Sequence, residues 1–86
     1  MITEKQRELL QHMLGADERY KKKQWGFRNY FCCGNDKHGD YEELKKMELV
    51  GLVVRGVWLE QIFFSATLKG AIAIGFKKYQ LKKLEL

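Results

Sequence analysis

Apolar positions recur along this chain with two different periods, and the points where the period changes divide it into elements. Leu9, Leu10, Met13 and Leu14 fall at helical spacing, with Lys5, Arg7, Glu8 and Gln11 on the opposite, solvated face. Thr3 followed by Gln6 is a capping-box pattern, and Gly15 closes the run, so the spacing predicts a helix over Glu4–Leu14. Residues 16–23 have no period: they are strongly polar, contain Arg19 and the run Lys21, Lys22, Lys23, and read as a loop or a short frayed helix. Trp25 to Cys33 is dense in aromatic residues of high strand propensity and is followed by a turn-rich stretch at 34–39, which predicts a strand over 27–32.

Asp40, three residues before Glu43, repeats the capping-box pattern, and Tyr41, Leu44 and Met47 or Glu48 trace one stripe of a helix over Tyr41–Leu49. Gly51 is placed to end that helix in a left-handed cap. Two β-rich runs, 52–55 and 57–65, flank Gly56 and read as an antiparallel hairpin. Thr67 then caps a last helix with Leu68, Ile72, Phe76 and Tyr79 on one face, reaching Leu84. Gly70 and Gly75 each weaken such a helix by roughly 1 kcal/mol relative to alanine, which points to close approach by another element. The predicted core is Leu10, Leu14, Tyr30, Leu44, Leu52, Val54, Phe64, Leu68 and Ile72.

With 86 residues the chain can build one hydrophobic core, so these elements are expected to form a single α+β domain over 1–86. Hydrophobic residues at 45% and charged ones at 31% match a globular chain rather than a disordered one. No apolar run approaches the ~18 residues a membrane span needs, and the N-terminus turns charged at once without the apolar stretch of a signal peptide, so a cytoplasmic protein is expected. Adjacent Cys32 and Cys33 do not suit a structural disulfide and agree with a reducing compartment. The 16 Lys and Arg against 11 Asp and Glu leave a net charge of +5, which favours polyanions without dictating specificity.

The residues Leu44, Leu49-Val50-Gly51-Leu52-Val53, a hairpin, and Phe64-Ser65-Ala66-Thr67-Leu68-Lys69-Gly70 form a pattern that resembles winged-helix regulators. The glycine caps a helix, the apolar residues enter the core, and the threonine starts the next helix. Together with Arg28-Asn29-Tyr30-Phe31, the chain resembles small winged-helix-like proteins of bacteriophages and prophages. That resemblance implies three main helices, a short strand and a two-stranded wing, with DNA as the partner and Arg55 of the wing reaching a minor groove or backbone. Residues 16–39 leave room for at most a short helix before the strand, so the helix-turn-helix is expected to be degenerate. The helix in the recognition position carries Asp40, Glu42, Glu43 and Glu48 against Lys45 and Lys46, a balance better suited to a surface helix than to phosphate contact.

Cations interleaved with aromatics supply what a nucleic-acid site needs: Lys21, Lys22, Lys23 and Arg28 to neutralise phosphates, and Tyr20, Trp25 and Phe27 to stack on bases. The competing reading makes the lysines a solvated loop and the aromatics core. Lys21, Lys22, Lys23, Arg28 and Arg55 are therefore the candidate nucleic-acid-binding residues, brought to one surface if the loop folds back on the strand. Cys32 and Cys33 on a strand point to opposite faces and do not join His12 and His38 in a chelating set. Thr3 and Thr67 have capping roles, and residues 34–39 lack the Lys-Ser/Thr pair of a phosphate-binding loop, so no enzyme and no cofactor is expected. Residues 76–86 alternate apolar and paired basic positions, as in a helix that packs on the core, a homodimer arm or a weak membrane-surface helix.

Two functions compete: a DNA-binding accessory or regulatory protein using the basic loop and the wing, and a protein-interaction module on the same frame whose contact is the acidic helix and an aromatic surface. Neither requires a metal or a disulfide. Thermal melts followed by circular dichroism should give one Tm with and without chelator or reductant, and a fall on adding either would contradict this reading.

Overall fold

A computed structural model describes residues 2–35 and 37–84, apart from the side chain of Lys83, so Asp36 of the expected turn and the last two residues of the basic tail lie outside the described residues. Helix α1 spans Glu4–Leu14, strand β1 Phe31–Gly34, helix α2 Tyr41–Leu49, strands β2 and β3 Val53–Trp58 and Gln61–Ala66, and helices α3 and α4 Leu68–Ala73 and Lys78–Leu81. Single 3₁₀ turns lie at Lys22–Gln24 and Lys82–Leu84. The three strands form one antiparallel sheet in the order β1-β3-β2. Helix α1 packs against β3, α2 against β2, and α1 against α2 and α3.

The start of α1 is capped as its sequence predicts: Thr3 Oγ1 accepts from the Gln6 N–H at 3.1 Å while Gln6 Oε1 accepts from the Thr3 N–H at 3.1 Å. Helix α2 departs from its pattern. Asp40 has helical φ and ψ (−96°, −1°) and makes no side-chain cap, since capping requires the extended backbone that Thr3 has. Its carboxylate pairs with Lys5 Nζ at 3.1 Å instead. Gly51 does end α2, at φ +81°, with its N–H on the Glu48 carbonyl and the Leu52 N–H on the Met47 carbonyl.

The hairpin turns through Leu59 and Glu60 at φ +51° and +64°. Positive φ at both central residues is the geometry of a type I′ turn, normally built from Asn and Gly, so this tip holds two side chains in a region they disfavour. Val53 pairs with Ala66 and Arg55 with Phe64, which turns Val53, Phe64 and Ala66 into the core. Val54 is on the other face and exposed, contrary to expectation, because strand parity allows only one of the two neighbouring valines inside.

The core comprises Leu9, Leu10, Met13 and Leu14 of α1, Tyr41, Leu44 and Met47 of α2, Leu52, Val53, Phe64 and Ala66 around the hairpin, and Ala71, Ile74 and Phe76 beyond it. Leu10, Leu14, Leu44, Leu52 and Phe64 are buried as predicted, whereas Tyr30, Leu68 and Ile72 are not. The last helix shows why. Gly70 is buried so tightly that a Cβ there would collide with the Leu52 carbonyl oxygen, so α3 turns its small-residue face inward and leaves Leu68 (42% exposed) and Ile72 outside. Nor does that helix reach Leu84. Gly75, at φ +99°, ends it, and no atom lies near where its Cβ would be, so that glycine serves a backbone turn and not a close approach.

Leu44 is wholly buried while Leu68 is not. Leu44→Ala should therefore destabilise the domain by about 2–5 kcal/mol in urea unfolding, and Leu68→Ala by under about 1.5 kcal/mol. Equal losses would contradict this packing.

Candidate nucleic-acid interface

A helix ends with four carbonyls that lack partners within it. In α1 these belong to Gln11, His12, Met13 and Leu14, and all four find donors in the segment that follows. Gly15, left-handed at φ +63°, and Ala16 donate to His12 and Gln11, while Gly26 and Tyr30 return to Leu14 at 2.9 Å and Met13 at 3.1 Å. Residues 16–30 are thereby wrapped over the end of α1. This is also why the strand expected at 27–32 begins only at Phe31: the Phe27 N–H goes to the Gln24 carbonyl and that of Tyr30 to α1, so neither joins a ladder. The Asn29 side-chain amide takes over that role, donating to the Ala66 carbonyl at 3.0 Å and accepting from the Ala66 N–H at 2.8 Å.

The lysine run occupies the outer bend of this wrap. Lys21 precedes the 3₁₀ turn, the Gln24 side chain accepts the Lys21 N–H at 3.0 Å, and Lys21, Lys22 and Lys23 are all exposed. Beneath them the loop packs on the C-terminal segment, with the Trp25 ring stacked on Phe76 at 6.0 Å and the Trp25 indole N–H on the Tyr20 carbonyl at 3.3 Å. Gln80, only 2% exposed, accepts the Lys77 N–H at 2.7 Å and donates to the Lys22 carbonyl at 3.0 Å. That bond sets the lysine run beside α4, whose flanks carry the exposed Lys77, Lys78 and Lys82. The segments that carry the cations of the loop and of the tail are thus neighbours, a proximity that sequence distance concealed.

The aromatic residues divide. Trp25 is half-buried, but Phe27 is 57% and Tyr30 51% exposed. Phe27 lies across Gly15, where a Cβ would enter its ring, and against the Tyr20 ring at 4.9 Å. The Arg28 guanidinium stacks 4.3 Å over the Tyr30 ring and donates to the Tyr30 carbonyl at 2.9 Å. Tyr30 in turn walls a groove of about 500 Å³ on the outer sheet face, together with Gly56, Trp58, Phe63 and Ser65. Trp58 is 69% exposed.

Arg55 is directed elsewhere. Its register opposite Phe64 puts it on the α2 side of the sheet, where it donates to the Tyr41 hydroxyl at 2.9 Å and pairs with Glu48 at 3.1 Å. The loop's fold-back therefore joins Arg28, but not Arg55, to the outer face. Arg19 forms a two-pronged pair with Asp17, and those hydrogen bonds hold the Asp17 carboxyl below the usual carboxylate range. The carboxylates of the acidic helix have local partners too: Asp40 pairs with Lys5 and Glu48 with Arg55, and Glu43 accepts from the neutral Gln6 amide. Cys33 is buried, which pushes its thiol above the ordinary value, while Cys32 faces outward with Sγ 3.1 Å from Gln61 Oε1. His12 and His38 sit edge-on to Phe31 at 5.4 and 5.6 Å.

Gln80→Ala removes the buried amide that joins loop and tail, and it should lower stability by about 1–3 kcal/mol in urea unfolding and speed amide hydrogen exchange at Lys21 to Trp25. Unchanged exchange there would show that the bond does not hold the loop. No family model, curated protein or solved structure matches this chain.

Proposed function

We propose that this chain is a DNA-binding accessory or regulatory protein of a phage or prophage, on a winged-helix-like frame, and that it engages single-stranded DNA through the loop at 20–30. The observation that carries this reading is that Phe27 and Tyr30 stand in solvent on the same loop as Lys21, Lys22, Lys23 and Arg28, while other aromatic residues, Tyr41, Phe64 and Phe76, fill the core. Exposed rings stack on unpaired bases, and flanking cations neutralise the backbone. The lysines at 77, 78 and 82 enlarge the basic surface, and Trp58 and Phe63 extend the stacking surface past Tyr30. The sheet order β1-β3-β2, with α2 leading directly into β2, supports the winged-helix-like frame. Only one helix stands between β1 and β2 among the described residues, which accords with a degenerate helix-turn-helix and with a binding surface outside it.

The second reading, a protein-interaction module, draws on the exposed apolar residues of the hairpin: Val54, Val57, Trp58 and Leu59. Its other support, the acidic helix, is weakened because three of that helix's carboxylates already have intramolecular partners.

Fluorescence anisotropy with a labelled oligonucleotide separates the two. At ~50 mM salt the wild type should bind single-stranded DNA with affinity that falls as salt rises, and K21E/K22E/K23E should flatten that dependence by about two units of log slope. Tyr30→Ala should cost about 1–3 kcal/mol of binding to single strands and little with duplex. Glu42→Lys with Glu43→Lys should at most strengthen binding non-specifically. Absence of salt-dependent binding to either form would favour the interaction module.

A further inference from the structure

A second groove, of about 630 Å³, lies on another part of the molecule, between the N-terminal half of α1, the end of α2 and the start of α3. Three cations line it, Arg7 from α1, Lys46 from α2 and Lys69 from α3, and no carboxylate does. Arg7 is half-buried, and neither its guanidinium nor the Lys46 ammonium has a hydrogen-bond or ion-pair partner among the described residues. Lys69 gives one proton to the Val50 carbonyl at 2.6 Å, which fixes its ammonium over the end of α2 and leaves two donors. The carboxylate of Glu43 is kept occupied by the Gln6 amide at 3.2 Å. Folding thus gathers three like charges around one concavity whose lining holds no carboxylate, Glu43 reaching only the Gln6 amide beside it, and an anion would relieve their mutual repulsion. The rest of the lining includes Ile2, Leu52 and Ala73, an apolar surface that free phosphate could not use.

We infer that this groove binds a small phosphate monoester with an apolar or aromatic body. A monoester carries close to two negative charges at neutral pH and three acceptor oxygens, which suits three cationic donors better than the single charge of a phosphodiester. The groove is within the size range of small-molecule sites. Its residues are distinct from the loop at 20–30 and from α4, so it neither requires nor excludes DNA binding there.

Phenyl phosphate is the probe, followed by ¹⁵N chemical-shift titration of the full chain, with inorganic phosphate, benzyl alcohol and a single-stranded oligonucleotide as separate arms. The expected result is saturable shifts at Gln6, Arg7, Lys46 and Lys69, binding roughly tenfold tighter than inorganic phosphate, and no saturation with benzyl alcohol. R7Q/K46Q, which removes two charges but keeps most of each side chain's stem, should retain a dispersed spectrum and lose at least about tenfold in affinity. Equal binding of inorganic phosphate, saturation by benzyl alcohol, an unaltered affinity in R7Q/K46Q, or shifts confined to residues 21–23 and 77–82 would each overturn the assignment. So would displacement of phenyl phosphate from the groove by the oligonucleotide, which would give these cations to the DNA backbone.

Discussion

The hydrogen bonds from Gly26 and Tyr30 back to the last carbonyls of α1 hold the candidate interface in place. Without them, Met13 and Leu14, both wholly buried, would carry unsatisfied carbonyls at the edge of the core, at a cost of about 1–3 kcal/mol each. Meeting that demand bends residues 16–30 around the helix end. The bend determines which side chains enter the core and which remain in solvent: Trp25 turns in against Phe76, and Phe27 and Tyr30 turn out. A backbone requirement at one helix terminus therefore creates the exposed aromatic surface of Phe27 and Tyr30.

The C-terminal segment completes the same construction from the other side. Close contact of Gly70 with Leu52 fixes α3, Gly75 reverses the chain, and Phe76 and Gln80 arrive under the loop. Because Gln80 satisfies both the start of α4 and the Lys22 carbonyl, the positions of the two lysine groups are coupled. Holding like charges near one another opposes folding, and a bound polyanion would offset that repulsion.

The charges are sorted unevenly over the surface. Around α2, Asp40 and Glu48 are paired with cations of α1 and β2, which leaves the helix less acidic than its sequence suggests. The groove beside Arg7, by contrast, is lined by three cations and no carboxylate. The net charge of +5 therefore understates how basic particular surfaces are.

Local signals determined α1 with its capping box and the extent of α2 with its glycine stop, because a cap, a left-handed glycine and a 3.6-residue stripe are all decided within a few residues, although Asp40 does not cap α2 as its pattern suggests. The hairpin and the Thr67 cap were legible for the same reason. Parity was not. No Asn-Gly turn fixes the register around Leu59 and Glu60, so the choice of Val53 over Val54 for the core came from packing on α2. Aromatic density suggested a strand at 27–32, but the donors of Phe27 and Tyr30 were claimed by carbonyls that only the folded chain brings near. The lysines at 21–23 were visible as a cluster from the sequence, whereas their union with Lys77, Lys78 and Lys82, and the diversion of Arg55 to Glu48, depend on contacts between residues far apart in the chain. Sequence sets what a residue and its near neighbours can do, and tertiary structure decides which distant group satisfies each hydrogen bond and charge.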